Sequence, residues 1–396
     1  MRFRTPATLH ATVAQISRIR HDTYLLLWSL VVLLLPFYVF DSGLPQPADL
    51  LGLALLSILL RSWSGRLPPP LVRPLKLLIV FVVYVFLVNL LWSFAALTFS
   101  LNAKEGFLIA PTFYIFNGLT FFAFLLMFQR YGEFLLWLTV RLVLASVFLQ
   151  VLAAAVGRHA GGRSTVMFNN PNQLGYYALL SASILLVGQK RLKLSTIQVT
   201  IGLIACGYLA LLSASKAALA SIAALGIVML ITRLRMVVLA SLVLAALVFT
   251  SNPFSTAIER AQHRIETDQS LGFFEERGYD RIIEYPEYWA FGAGEGAYDR
   301  FKETSAIGSH ELHSSMATLF FCYGVLGTVI FLAFMWRIMW GAGLRAWVVV
   351  GAALAYGMTH QGLRFRLMWV MLGMVSALRE FTPRPSAAQV PAKEAR

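Results

Sequence analysis

The sequence has little cysteine and little charge. Only two of its 396 residues are cysteines, Cys206 and Cys322, and both sit inside apolar runs, which argues against a disulfide framework or a cysteine metal cluster. Charged residues make up 13%, about half the share of a soluble globule, while 58% are hydrophobic. This balance excludes a water-soluble domain of ordinary make-up and implies an integral membrane protein. Acidic residues are the scarcest charge and are unevenly placed. Of 19, 12 lie between Ser251 and His313, together with 6 of the 33 Lys and Arg, so that segment carries −6 and the remainder +20. A net charge of +14 invites a nucleic-acid reading, but cations scattered over short loops between apolar runs are what the positive-inside rule produces. No nucleic-acid partner is expected.

What the chain has in abundance is apolar runs near the length of a bilayer crossing, about 20 residues as helix. They cover 23–40, 48–60, 75–99, 107–128, 134–156, 176–187, 196–212, 217–232, 236–250, 314–335, 346–360 and 367–377. The expected fold is therefore an all-α polytopic membrane protein of about 12 transmembrane helices, a single membrane domain over 1–396. One large outer loop, 251–313, separates helices 9 and 10, and 379–396 is a cytoplasmic tail with the composition of a disordered segment. Lys and Arg counted on alternate loops favour both termini on the inner side. Against that rule, Arg158, Arg163, Lys216, Arg260, Arg264, Arg277, Arg281, Arg300, Arg364 and Arg366 fall on outer segments, as do Lys104 and Lys302. Such misplaced cations suggest an anionic ligand at the outer face. Arg141 is the one Lys or Arg clearly within a span, where it needs a partner or must snorkel.

In the large loop, 251–269 reads as an amphipathic helix with Phe254, Ile258, Ala261 and Ile265 on one stripe. A second helix is expected over 276–285, where Arg277, Arg281 and Glu284 would share a face. Two guanidinium forks one turn apart suit a phosphate or diphosphate; the alternative is an exposed helix with internal ion pairs. The turn FGAGEG, 291–296, lacks Rossmann and Walker spacing and reads as a place where backbone comes close to substrate or another helix. In HELH, His310 and His313 lack the spacing of a zinc-protease pair, so no metal or other cofactor is expected. His313 is suited to take a proton from a sugar hydroxyl, or is a structural histidine at a helix end.

Four segments in order, GRSTVMFNNPNQLGYYALL, LLSASKAALA, ERGYDRIIEYPEYWAFGAGEGAYDRF and ELHSSMATLFFCYGVLG, resemble the bacterial O-antigen ligase and polymerase superfamily over most of the second half of the chain. The resemblance implies an inverting, metal-independent glycosyltransferase at the periplasmic face of the bacterial inner membrane. It would move a glycan from an undecaprenyl diphosphate carrier to an acceptor sugar hydroxyl. By motif position His313 corresponds to the histidine that activates the acceptor, Arg281 and Arg163 to arginines near the diphosphate, and Asn172 to the asparagine of a loop-to-helix junction. Lys216 stands where the family commonly has Arg, so the cation persists and the fork is lost. Arg277, Arg364 and Arg366 are further candidates for the anionic site. Three readings follow. An O-antigen ligase would use lipid A-core as acceptor glycolipid, in lipopolysaccharide assembly. An O-antigen or exopolysaccharide polymerase would use another carrier-linked repeat, with chain-length regulator proteins as candidate partners. A transporter or flippase would show repeated halves and polar midplane breaks, and no such repeat is visible in the sequence.

Overall fold

The computed structural model describes residues 22–98, 106–157, 163–226, 238, 242, 259, 272–301, 307–308 and 310–379. It is all-helical, with no strand among the described residues. The long helices are α1 (Thr23–Leu34), α2 (Pro47–Arg61), α3 (Pro69–Thr98), α4 (Ile109–Tyr131), α5 (Glu133–Val156), α6 (Pro171–Arg191), α7 (Thr196–Ser213) and α8 (Lys216–Gly226). Two short helices, α9 (Phe273–Glu276) and α10 (Asp280–Glu284), precede α11 (Ser315–Met339), α12 (Leu344–Gly357) and α13 (Arg366–Leu378). Ten of the twelve expected apolar runs hold a helix, and the eighth, 217–232, is helical over its described part, to 226; the ninth, 236–250, falls outside the described residues apart from two isolated positions, as does the amphipathic helix expected over 251–269 apart from Glu259. Five of these helices, α3, α4, α5, α7 and α11, are long and apolar enough to cross a membrane. At 1.5 Å per residue the shortest of them, with 18 residues, reaches about 27 Å.

Local sequence sets the helix starts. Asp22 caps α1 by accepting from the backbone N–H of Tyr24 and Leu25, Asn170 caps α6 ahead of Pro171, and Ser195 and Ser314 cap α7 and α11. Gly132 ends α4 and begins α5 with φ +55°, so the two form a tight hairpin. Burial then follows composition. In α6 every described side chain from Leu174 to Gln189 is buried, and in α13 every residue from Leu367 to Ala377. These two helices are the centre of the bundle, apolar on all sides. By contrast α3 exposes Ile79, Val83, Leu87, Leu91 and Phe94, the side chains expected of a lipid-facing helix. Arg141 lies 5.5 Å from the ring centroid of Trp137 on its own helix.

The two ends of the bundle differ in chemistry. One joins Tyr131 to Asp22, Arg191 to Glu133, Gln129 to the carbonyl of Arg66 and Arg379 to the carbonyl of Arg337. The other gathers the segments 35–46, 163–170, 272–301, 310–314 and 358–365. At this second end the backbone interlocks. Helix α11 is broken at Gly324, where φ is +65° and ψ −172°. The loop after α10 fills the break: Ala293 and Gly294 N–H donate to the carbonyls of Phe321 and Cys322, at 2.9 Å each, and Val325 and Leu326 N–H donate to Trp289 and Ala290. FGAGEG is therefore a turn in which backbone meets another helix. A Cβ on Gly292 would lie 2.3 Å from the Cys322 carbonyl oxygen, and one on Gly324 2.5 Å from that of Ala290. Gly292→Ala should accordingly cost about 3 kcal/mol or more. Gly207→Ala in α7, where a Cβ meets nothing within 4 Å, should not destabilise. Thermal unfolding of both variants in detergent checks this; equal midpoints would mean the interlock is not a constraint.

Candidate active site

The second end carries the residues singled out in the sequence, and its geometry sorts them. His313 sits just before α11, exposed, with its chain held on both sides. Ser314 Oγ contacts Tyr279 Oη at 2.8 Å and the Gly357 carbonyl at 3.2 Å, and Gln361 Nε2 donates to the Leu312 carbonyl at 2.6 Å. Ser315 Oγ receives the N–H groups of Gly362 and Leu363. The turn between α12 and α13 thereby fixes the loop that carries His313. Surrounding protein, first, and the positive charges of Arg277 and His310 lower the pKa of His313 below the ordinary histidine value, against an opposite pull from Glu311. The imidazole is biased toward its neutral form, which accepts a proton.

The single helix expected over 276–285 is not formed. Gly278, with φ +75°, separates α9 from α10, and the turn is required because Gly278 packs against Leu312 and Ile307: a Cβ there would lie 2.6 and 2.8 Å from their side chains. Arg277 and Arg281 consequently part company. Arg277 pairs with Glu276 at 3.2 Å and stays within electrostatic reach of His313. Arg281 is fully buried; its Nη2 donates to the carbonyls of Gly308 and His310 at 2.6 and 2.9 Å, and its guanidinium lies over the rings of Tyr298 and Phe301. Burial lowers its pKa. What Arg281 does in this conformation is hold the chain leading to His313.

Arg163 and Asn172 are brought together. Arg163 Nη2 donates to Asn172 Oδ1 and its Nε to the Ser213 carbonyl at 2.9 Å, while Tyr356 Oη donates to the Asn172 carbonyl at 2.8 Å. Both Arg163 and Arg277 lie within Coulombic reach of that same tyrosine. Lys216, exposed, opens α8 beside this group. Arg366 stands apart, paired with Asp49 at the start of α2, which ties α13 to α2.

Arg364 anchors a network that sequence reasoning missed. Its Nη2 pairs with Glu295, 1% exposed, and its Nη1 with Glu311 at 2.9 Å. Glu295 Oε2 also accepts from Tyr323 at 2.6 Å and Tyr114 at 3.2 Å, and its backbone N–H donates to Asn89 Oδ1 at 2.8 Å. Burial alone would lower the Arg364 pKa, but the two carboxylates raise it well above the ordinary arginine range. The available signal was Asn89, a polar residue in an apolar run, and Glu295, the one acid among the glycines of FGAGEG. Among the described residues no group of three or more metal-binding side chains is found.

Fold and site together define an all-helical membrane protein with a cation-rich polar cluster at one end of its bundle. Compared with family models and with curated proteins, the chain finds no match. Arg364→Met would strand the buried Glu295 carboxylate and should cost about 3–5 kcal/mol, much of which Glu295→Gln in the same chain should return. Thermal midpoints of the single and double variants measure this; a single variant as stable as the parent would show that the pair does not hold the fold.

Proposed function

We propose that this protein transfers a glycan from a lipid diphosphate carrier, of the undecaprenyl diphosphate kind, to an acceptor sugar hydroxyl at the outer, periplasmic face of a bacterial inner membrane, as an O-antigen ligase acting on lipid A-core. The observation that carries this reading is the convergence, at one bundle end, of a lowered-pKa histidine with Arg277, Arg163, Lys216, Asn172 and Arg364. Its orientation rests on the positive-inside count, with about twelve spans and the large loop outside.

In the proposed reaction the acceptor oxygen attacks the anomeric carbon from the face opposite the leaving group, and its proton passes to His313. As the C–O bond to the carrier breaks, its electron pair goes to the diphosphate, whose growing charge the cations stabilise. Arg277, Arg163, Lys216 and Arg364 are the cations assigned to that charge. Arg281 serves as a positioning residue, through the carbonyls it holds ahead of His313. The polymerase alternative shares this donor chemistry and differs only in acceptor; the basic balance of the chain leans toward the ligase. Product size separates them: one addition that requires lipid A-core marks a ligase, and a ladder on the carrier alone marks a polymerase.

His313→Ala should reduce transfer by about 100-fold or more while the protein still inserts and unfolds like the parent. Since a base works only when deprotonated, kcat/KM should fall as pH drops, with an acid limb below the ordinary histidine value of about 6.5. Full activity in His313→Ala, or a limb untouched by that change, would remove His313 from the mechanism.

A further inference from the structure

The two carboxylates on Arg364 are held very differently. Glu295 is 1% exposed and fixed by Tyr323, Tyr114 and, through its backbone, Asn89. Glu311 is 41% exposed, and among the described residues its carboxylate is tied by one bond, from Arg364 Nη1. A buried cation needs one permanent counter-charge, and Glu295 supplies it. The second carboxylate makes the trio net negative, and the Arg364 side chain keeps 20% exposure with both acids in place. Among the described residues the buried Nε of Arg364 meets no hydrogen-bond acceptor, so its donors are not exhausted by the two acids.

From this asymmetry we infer that Glu311 is a displaceable internal carboxylate, occupying the anion-binding side of Arg364 until the diphosphate group of the donor takes its place. The exchange keeps Arg364 paired with an anion on that side, and Glu295 stays paired throughout. A diphosphate suits the position better than a single carboxylate because Arg277, Arg163 and Lys216 lie at the same bundle end and can share the additional negative charge. Glu311 lies two residues before His313 and within electrostatic reach of it, so the exchange takes place next to the proposed base. The inference rests on the diphosphate donor proposed above and adds a competitor to it.

A ligand that must displace an internal group binds with its affinity reduced by the fraction of time the site is open. If Glu311 holds Arg364 for about nine-tenths of the time, removing it gains about tenfold. The test is direct binding, by calorimetry in detergent, of inorganic diphosphate and of farnesyl diphosphate to the full chain and to Glu311→Gln. The expected result is a Kd about tenfold lower in the variant, a gain that disappears when Arg364→Gln is added. A gain with both probes supports the inference with the bare anion sufficient; a gain with farnesyl diphosphate alone supports it with a lipid headgroup as the ligand. Should the double variant fail to fold, Glu311→Ala must reproduce the gain. Equal Kd values in parent and Glu311→Gln overturn the inference, as does a gain that survives Arg364→Gln. Glycan transfer with unchanged diphosphate affinity would sink this inference alone, and tighter binding without any transfer would sink the transferase reading alone.

Discussion

The constraint on which the architecture depends is the need to pair backbone polar groups inside an apolar body. A helix does this for itself, and α11 stops doing so at Gly324. The orphaned carbonyls of Phe321 and Cys322 and the N–H groups of Val325 and Leu326 are taken up by residues 289–294, which thereby become part of the helix wall. Everything near the loop is arranged to keep that segment in place. Tyr84 donates to the Phe291 and Tyr323 carbonyls, Trp92 to the Gly292 carbonyl, and Arg300 to the carbonyls of Ala293 and Gly294 while lying over the Trp92, Phe107 and Phe301 rings. The backbone repair also delivers Glu295 to the interior, one residue beyond Gly294.

From Glu295 the order passes outward by charge. The buried acid holds Arg364, Arg364 holds the turn between α12 and α13, and that turn holds the residues around His313 through Gln361, Gly362 and Leu363. Asn117 and Trp369 grip the Leu363 carbonyl from α4 and α13, so the turn is fastened to the centre of the bundle as well. An exposed histidine thus stands on a rigid base, while the cations expected to meet a ligand sit on separate elements around it. The fold keeps flexible-looking polar sequence firm where position matters.

Much of the helical order was readable, because apolar runs are local signals. Most helix ends fall within a few residues of the ends of those runs. The polar loop was read less well. Periodicity suggested one helix through 276–285, and a non-local contact, Gly278 against Leu312 and Ile307, decided otherwise. Arg281 and Arg277, four apart in sequence, could not be told apart until burial separated a fully buried, loop-holding arginine from one whose side chain keeps 16% exposure. Likewise Glu295, Tyr114, Tyr323 and Asn89 belong to four separate segments, and no window of sequence shows them as one network. Arg163 and Asn172 were singled out separately, each by motif resemblance, and the hydrogen bond between them was not foreseen.

The broken helix also bears on how the chain is assembled. Residues 289–294 emerge before α11, and the groups they pair with in α11 do not yet exist when they are made. Their other anchors, Tyr84 and Trp92, belong to α3, completed some two hundred residues earlier. The N–H groups of Ala293 and Gly294 therefore lack these partners until α11 is made, and the break in α11 needs the segment to fill it. The two close together, late and in one event, so the polar end of the bundle is completed only after most of the chain has been inserted.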